Sequence, residues 1–209
     1  MHKRRGASRA VFRYKANRRL ELCAEVPFRQ DSSMKAKVLV ALLSLLYLLL
    51  FIALAVTFND LPERMATHFS GDGRANGWMS RTAHLWFTTG LGLGLPGAVV
   101  GICYAIRFFP VGLLNIPHRD YWMAPERRGA TYDFIFHHSL WLACLAVAFV
   151  IGIHLSIVQA NKVFPPMLAS GSLMIILVGF VTGVVVWSFL LLRRFFKVPE
   201  RAPAVTSAG

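Results

Sequence analysis

The chain has 209 residues, of which 56% are hydrophobic, yet it carries a formal net charge of +13 at pH 7. In a basic soluble protein we expect the charge to be spread along the chain, whereas here four long windows contain no Lys, Arg, Asp or Glu. About 20 apolar residues in a helix are enough to cross a bilayer core. The composition therefore predicts four transmembrane helices, at 38–58, 82–106, 135–158 and 168–192.

The positions of the basic residues predict the topology. Most of the 23 Lys and Arg residues lie before the first window, between the second and third, or after the fourth. By the positive-inside rule, both termini are then cytoplasmic and the segment 59–81 lies outside. The predicted fold class is an all-α, multi-pass integral protein of the inner (cytoplasmic) cell membrane, N-in/C-in, with a small extracytoplasmic cap loop. The basic segments lack the interleaved aromatic platforms of nucleic-acid-binding surfaces, so we expect the lipid bilayer as a partner and no nucleic acid.

Residues 1–33 form a basic arm without a sustained apolar period, and we expect this arm to be disordered. Because the sequence from Met34 onward is typical of the start of a membrane protein, the arm is either cytoplasmic or not translated. The three Cys residues have no metal-ligand spacing and predict no structural disulfide. After the arm we expect a membrane domain at 34–107 with a motif loop at 59–81, an interfacial cytoplasmic loop at 108–134, a second helical hairpin at 135–194 and a disordered tail at 195–209.

The loop between the first two spans mixes Pro, His, Gly and Trp at spacings that membrane insertion does not require. Asp60 is expected to cap a short helix, because Pro and Glu follow it as they do at many helix starts. A brief extended piece and two turn signals, Gly-Asp-Gly and Asn-Gly, come next. Trp78 and Arg81 are expected to anchor the return to the membrane surface. The pattern predicts a small folded cap that serves recognition or structure.

The loop contains Leu61-Pro62, His68-Phe69, Gly73 and a basic residue at Arg81. This pattern resembles the signature of a bacterial membrane domain of unknown function that occurs at the N-terminus of sporulation-delay immunity and signalling proteins. The pattern of that family has Pro at positions 66 and 75, Asp at 76 and Lys at 81, where this chain has Ala66, Ala75, Asn76 and Arg81. The resemblance implies a membrane domain with a recognition motif between its first two helices, and a role in toxin immunity or signalling. The motif and recognition residues expected in this loop are Leu61, Pro62, His68, Phe69, Gly73, Trp78 and Arg81.

The cytoplasmic loop contains the sequence NIPHRDYWMAPERR at 115–128, in which two prolines prevent one long helix. Its aromatic residues suit the headgroup region and its arginines suit anionic lipid or acidic partners. The plainer interpretation is a loop that lies on the membrane, and the alternative is a docking surface. A segment like this one follows the domain in some relatives. Its candidate recognition residues are Asn115, Pro117, Asp120, Tyr121, Trp122, Pro125, Glu126 and Arg127.

Glycines spaced four apart occur in the second and fourth spans. Small residues at this spacing allow a neighbouring helix to approach closely, so we expect helix packing or a homo-oligomer through these Gly-rich faces. Pro96 is expected to kink the second span near its middle. The glycine pairs are Gly90 and Gly94, Gly97 and Gly101, and Gly179 and Gly183.

Three histidines are predicted to lie near the outer end of the helices: His68, His84 and His154. Histidines near carboxylates are suitable ligands for a divalent metal such as zinc, and an open coordination position activates water. No H-E-x-x-H motif is present, and hydrogen bonding to a neighbouring helix is the plainer alternative. We assign no catalytic residue and no cofactor other than this candidate metal.

The leading functional hypothesis is a non-enzymatic binding, immunity or signalling component that acts through its outer loop on a peptide or a membrane-protein partner. One alternative is a metal-dependent membrane enzyme that uses the outer histidines. A second alternative is a small-molecule transporter, for which the only broken-helix signal lies near Pro96.

Overall fold

The computed structural model describes residues 36–197, so the predicted arm at 1–33 and the tail from residue 198 onward lie outside the described residues. Within this range, four helices are long and apolar enough to cross a membrane, which confirms the predicted number. A short helix of one turn lies between the second and third of them. The helices are α1 (Ala36–Phe58), α2 (Arg81–Ala105), α3 (Arg119–Trp122), α4 (Arg128–Ala160) and α5 (Ser170–Phe196).

The loop between α1 and α2 folds as a β-hairpin, so the chain is mostly helical rather than all-α. Strand β1 (Arg64–Phe69) pairs antiparallel with β2 (Ala75–Ser80). The short helix expected after Asp60 does not form, because the chain passes through a turn directly into β1. The predicted turn before position 74 is present, since the backbone N–H of Gly73 donates to Ser70 O at 2.9 Å. The pair Asn76-Gly77, which was expected to form the second turn, lies within β2 instead.

Helix α4 is the central element of the described chain. Its middle buries Val147 and Val150 against Leu50 and Leu54 of α1, and α2 and α5 also pack on it. Helix α4 begins at Arg128, inside the segment 108–134 that the sequence predicts as a loop. The turns of α4 before position 135 contain polar and charged residues, so an apolar window does not include them, although they belong to the same helix.

The glycine faces predicted for helix packing are used only in part. A Cβ on Gly183 would lie 2.8 Å from Leu145 Cδ2, so α5 approaches α4 closely there. A Cβ on Gly92 would lie 2.6 Å from Leu50 Cδ2, which makes Gly92 the close contact of α2. Helix α2 remains one continuous helix through Pro96. A Cβ on any other glycine of the predicted pairs would meet no atom of the described chain within 4 Å apart from the nearby backbone of its own helix; these glycines are Gly90, Gly94, Gly97, Gly101 and Gly179.

Candidate functional site

Asn161, at the C-terminal end of α4, attaches the hairpin to the helices. Its Oδ1 accepts a hydrogen bond from Ala66 N at 2.8 Å, and its Nδ2 donates to Ala66 O at 2.8 Å. Because a side-chain amide has the same donor and acceptor as a peptide group, Asn161 occupies the place of a neighbouring strand. The Nδ2 group also donates to Ile157 O at 2.9 Å, which fixes the amide on its own helix. No sequence pattern pointed to this contact, since Asn is common at helix ends.

Gly73 forms a second attachment, to the connection between α4 and α5. Its carbonyl accepts a hydrogen bond from Leu168 N at 2.9 Å. The backbone of Gly73 has φ +84°, and a Cβ on it would lie 2.6 Å from Leu168 O. Both the left-handed conformation and the close approach favour glycine. This motif residue therefore has a structural role in docking the hairpin.

Leu61 and Arg81 of the motif also have structural roles. Leu61 and Met65 are buried against Val158 of α4. The Arg81 guanidinium lies 4.9 Å from the centre of the Phe58 ring, and Arg81 N donates to Glu63 O at 3.0 Å. These contacts join the two ends of the hairpin segment to the ends of α1, α2 and α4.

Another part of the motif is exposed on the hairpin. His68 donates from Nδ1 to Asn76 Oδ1, and the Trp78 side chain is 49% exposed. A Cβ on Gly77 would lie 2.8 Å from His68 Cβ, so the absence of a side chain at position 77 is what allows this His68 position. Of the remaining motif residues, Pro62 is exposed and Phe69 is half-buried. The hairpin thus presents an imidazole, an amide and an indole.

His84 and His154 lie in direct contact beneath the hairpin. His84 Nε2 is 3.0 Å from His154 Nδ1, and the two rings are inclined by 19°. His154 Nε2 lies 3.0 Å from Thr57 Oγ1 of α1. Both imidazoles are almost fully buried, at 3% and 1% exposure. The contact therefore joins α1, α2 and α4 at one end of the bundle.

The hydrogen bonds define the tautomer of each ring. Thr57 has one hydroxyl proton and donates it to Ala53 O at 2.7 Å, so its oxygen accepts from His154 Nε2–H. His154 Nδ1 is then the acceptor for His84 Nε2–H. Both rings are neutral in this arrangement, and His84 Nδ1 is an acceptor without a partner among residues 36–197.

A cavity of about 100 Å³ lies beside the paired histidines. Thr67 and Met79 of the hairpin form one side of it, and its polar groups are the imidazoles of His84 and His154 and the hydroxyls of Thr67 and Thr88. The remaining lining comes from apolar and aromatic side chains of α2 and α4. A neutral group small enough for this volume would find an acceptor at His84, the two threonine hydroxyls and otherwise an apolar surface.

The three histidines predicted to share one site are separated in the structure. His84 and His154 touch, whereas His68 is exposed and bonded to Asn76. Across residues 36–197, no three His, Cys, Asp or Glu side chains are grouped closely enough to hold a metal ion. The sequence did not indicate that β1 would direct His68 toward solvent.

The recognition residues predicted in the second loop fold into and around α3. Trp122 is buried rather than exposed to headgroups, and its Nε1 donates to Phe195 O at 3.1 Å. Arg127 Nε donates to Tyr121 O at 2.8 Å, and its guanidinium lies 4.0 Å from the centre of the Tyr121 ring. Asp120 forms an exposed ion pair with Arg119. Asn115 and Pro117 precede α3, and Pro125 and Glu126 separate it from α4.

Four apolar helices joined by a hairpin and short connections are the architecture of a multi-pass membrane protein. A family model described as a domain of unknown function (DUF1648) matches residues 45–93. The match begins within α1, includes the whole hairpin and ends within α2, so it contains His84 but not His154. No curated protein and no solved structure matches the chain.

Proposed function

We propose that this protein is a non-enzymatic binding component of the immunity or signalling kind, which recognises an extended peptide segment through the outer edge of β2. In this proposal the hairpin faces outward from the cytoplasmic membrane, as the distribution of basic residues predicts. The peptide belongs to a secreted molecule or to a neighbouring membrane protein. The main support for this function is that the backbone N–H and C=O of Trp78 are directed away from β1.

The hydrogen-bond register directs the backbone of Trp78 away from β1. Arg81 N donates to Glu63 O, so those two residues form a hydrogen-bonded pair. Bonded and non-bonded pairs alternate along an antiparallel ladder. The Ala66–Trp78 pair is three residues further and therefore non-bonded, which agrees with the use of both Ala66 backbone groups by Asn161. The N–H and C=O of Trp78 have no partner among residues 36–197.

An exposed strand edge with unpaired polar groups is a template for an added strand. Asn161 covers the corresponding edge of β1, so β2 offers the edge on which a peptide can add. The main-chain hydrogen bonds would supply affinity, while Trp78 and the His68–Asn76 pair would supply specificity. Docking through Gly73 and Asn161 holds the edge in place before binding, which lowers the entropic cost of association.

A proline at position 78 tests this proposal without removing a ladder hydrogen bond. Trp78→Pro deletes the outward N–H only, since edge strands accept proline where the N–H faces solvent. The probe is a set of peptides selected from an extended-peptide library on the protein in nanodiscs. We expect Trp78→Pro to lose binding and Trp86→Ala, which changes a 70% exposed indole of α2, to retain it. Peptides that bind Trp78→Pro as tightly as the wild type would contradict the proposal.

A second candidate function is divalent-metal binding by His84 and His154, which would underlie the alternative of a metal-dependent membrane enzyme. Their facing nitrogens are 3.0 Å apart, close to the roughly 3.3 Å between two nitrogens on one tetrahedral zinc ion. Thr57 would orient His154 from behind, as outer groups orient metal-bound imidazoles. Metal that disappears in both His84→Ala and His154→Ala but remains in His68→Ala would support this candidate. Purified protein without metal would exclude it.

A further inference from the structure

A second cavity lies at the opposite end of α4 from the paired histidines. It has a volume of about 790 Å³ and is bounded by α4, α5 and Trp122. Leu145 and Gly183 line its apolar end, and Arg193, Arg194 and Lys197 line its other end. We call this space the α4–α5 groove. Along α5 the groove extends from position 183 to 197, about 21 Å at 1.5 Å per residue.

The basic end of the groove contains a donor without an acceptor. Arg194 Nε is buried and has no hydrogen-bond partner among residues 36–197. The guanidinium lies 4.4 Å from the centre of the Phe134 ring and 5.1 Å from that of Trp122. These rings hold the charged group in place, but they do not satisfy its N–H. A buried donor left unpaired is costly, so an acceptor at this point would be stabilising.

The charge at this end is also uncompensated within the described residues. The ion pairs in residues 36–197 involve Asp72 and Asp120, and neither carboxylate pairs with a basic residue of the groove. Arginine forms strong, directional hydrogen bonds with phosphate oxygens. The basic end therefore fits a phosphate group rather than a neutral one.

The walls of the groove are apolar and aromatic. His138 and Trp187 close one part of it, because His138 Nε2 donates to Trp187 O at 2.9 Å and Trp187 Nε1 donates to His138 O at 2.8 Å. With their main polar groups satisfied by each other, the two rings present carbon surface. Trp141 continues this surface toward the middle of α4, and Leu190 continues it toward the basic end. The apolar part of the groove, from position 183 to 190 of α5, is about 10 Å long at 1.5 Å per residue, so it holds part of an acyl chain.

We infer that the α4–α5 groove binds an anionic phospholipid, with the phosphate at Arg193, Arg194 and Lys197 and an acyl chain along Trp141 and Leu145. The charge at one end and the apolar length at the other match one amphiphile. The site is independent of the hairpin, which lies beyond the other end of α4.

Tryptophan quenching tests this inference, because three of the five Trp residues line the groove. The full-length protein is placed in phosphatidylcholine vesicles with increasing fractions of phosphatidylglycerol brominated on its acyl chains. Brominated phosphatidylcholine serves as the comparison lipid. We expect half-maximal quenching at a lower mole fraction for the anionic lipid. Identical quenching curves for the two lipids would overturn the inference.

Substitutions distinguish lipid binding in the groove from attraction of the lipid by the general surface charge. Arg194→Gln is expected to weaken selective quenching about fivefold, the effect of about one basic residue at an anionic membrane. Lys197→Gln, which changes an exposed side chain, should act in the same direction and remains informative if Arg194→Gln does not fold. Arg107→Gln removes a basic residue that instead contacts Tyr104, and it should leave selectivity unchanged.

Two results would refute the assignment of the lipid. The first is an equal loss of selectivity in Arg107→Gln and in the groove variants, because bulk charge would then explain the preference. The second is displacement of the brominated phosphatidylglycerol by inorganic phosphate, because the groove would then bind the anion without its chain. Persistence of selective quenching in excess phosphate is the expected result.

Discussion

Asn161 hydrogen-bonds both backbone polar groups of Ala66, across a sequence separation of 95 residues. One side chain thereby joins the end of α4 to the first strand of the hairpin. The buried contact of Leu61 and Met65 with Val158 lies beside it. The hairpin is consequently part of the helical structure, and its orientation depends on residues outside the segment 45–93 that the family model matches.

Replacing Asn161 with Ala should loosen the hairpin while the helices remain folded. The variant loses both hydrogen bonds to Ala66 and leaves those backbone groups unpaired, at a cost of about 1–3 kcal/mol. Amide hydrogen exchange should show protection of β1 lowered about tenfold or more. Gln159→Ala is the control, because Gln159 is exposed on the same helical turn. Unchanged protection of β1 in Asn161→Ala would show that the apolar contacts alone hold the hairpin.

Substitutions at Gly73 and Gly71 test the attachment of the hairpin to the connection between α4 and α5. Gly73→Ala places a Cβ 2.6 Å from Leu168 O in a backbone with φ +84°, whereas a Cβ on Gly71 meets nothing within 4 Å. We expect Gly73→Ala to destabilise the hairpin by about 1–3 kcal/mol and Gly71→Ala to have little effect. Hydrogen exchange of Leu168 N, which donates to Gly73 O, reports the change directly. Equal effects of both substitutions would contradict the close approach at position 73.

The membrane helices were predictable because their signal is local. A bilayer requires a continuous apolar helix, and the absence of charge over each window reveals it. The start of α4 at Arg128 was not predictable from this signal, since its first turns are polar. Long-range contacts support these turns, among them the packing of Phe134 on Phe195 of α5, and a local sequence pattern does not reveal them.

The hairpin and the histidine pair were predictable only in part. Glycine, turn residues and an extended piece were visible in the sequence, but the attachment of the hairpin depends on Asn161, which is distant along the chain. The depth of His84 and His154 followed from their positions in the spans, and the structure brings them into contact. His68 was grouped with them because all three lie near the same end, although a strand directs alternate side chains to opposite faces.

The turn of the hairpin should lose stability in acid. The hydrogen bond from Ser70 Oγ holds the pKa of Asp72 below its ordinary value of 3.8, with further contributions from the Arg74 backbone and side chain. A carboxyl with a lowered folded-state pKa stabilises the turn at pH values above 3.8, and this contribution disappears as the pH falls through the lowered pKa. Exchange of Arg74 N, which donates to Asp72, should therefore show less protection below pH 3.8 than the usual pH dependence of exchange predicts. Asp72→Asn should remove this dependence, and its persistence in that variant would exclude Asp72 as the cause.

The buried histidine pair should depend on the hydroxyl of Thr57. Thr57→Val keeps the shape of the side chain but leaves His154 Nε2–H without its acceptor, so we expect the free energy of unfolding in detergent to fall by about 1–3 kcal/mol. Thr88→Val is the control, since Thr88 is buried at 5% exposure beside the same cavity, whereas His154 bonds to Thr57 and to His84. Nitrogen-15 NMR of the wild type should show both His84 and His154 protonated at Nε2. Protonation of His154 at Nδ1 alone would reverse the order of donors from Thr57 to His84 and exclude the tautomers derived above.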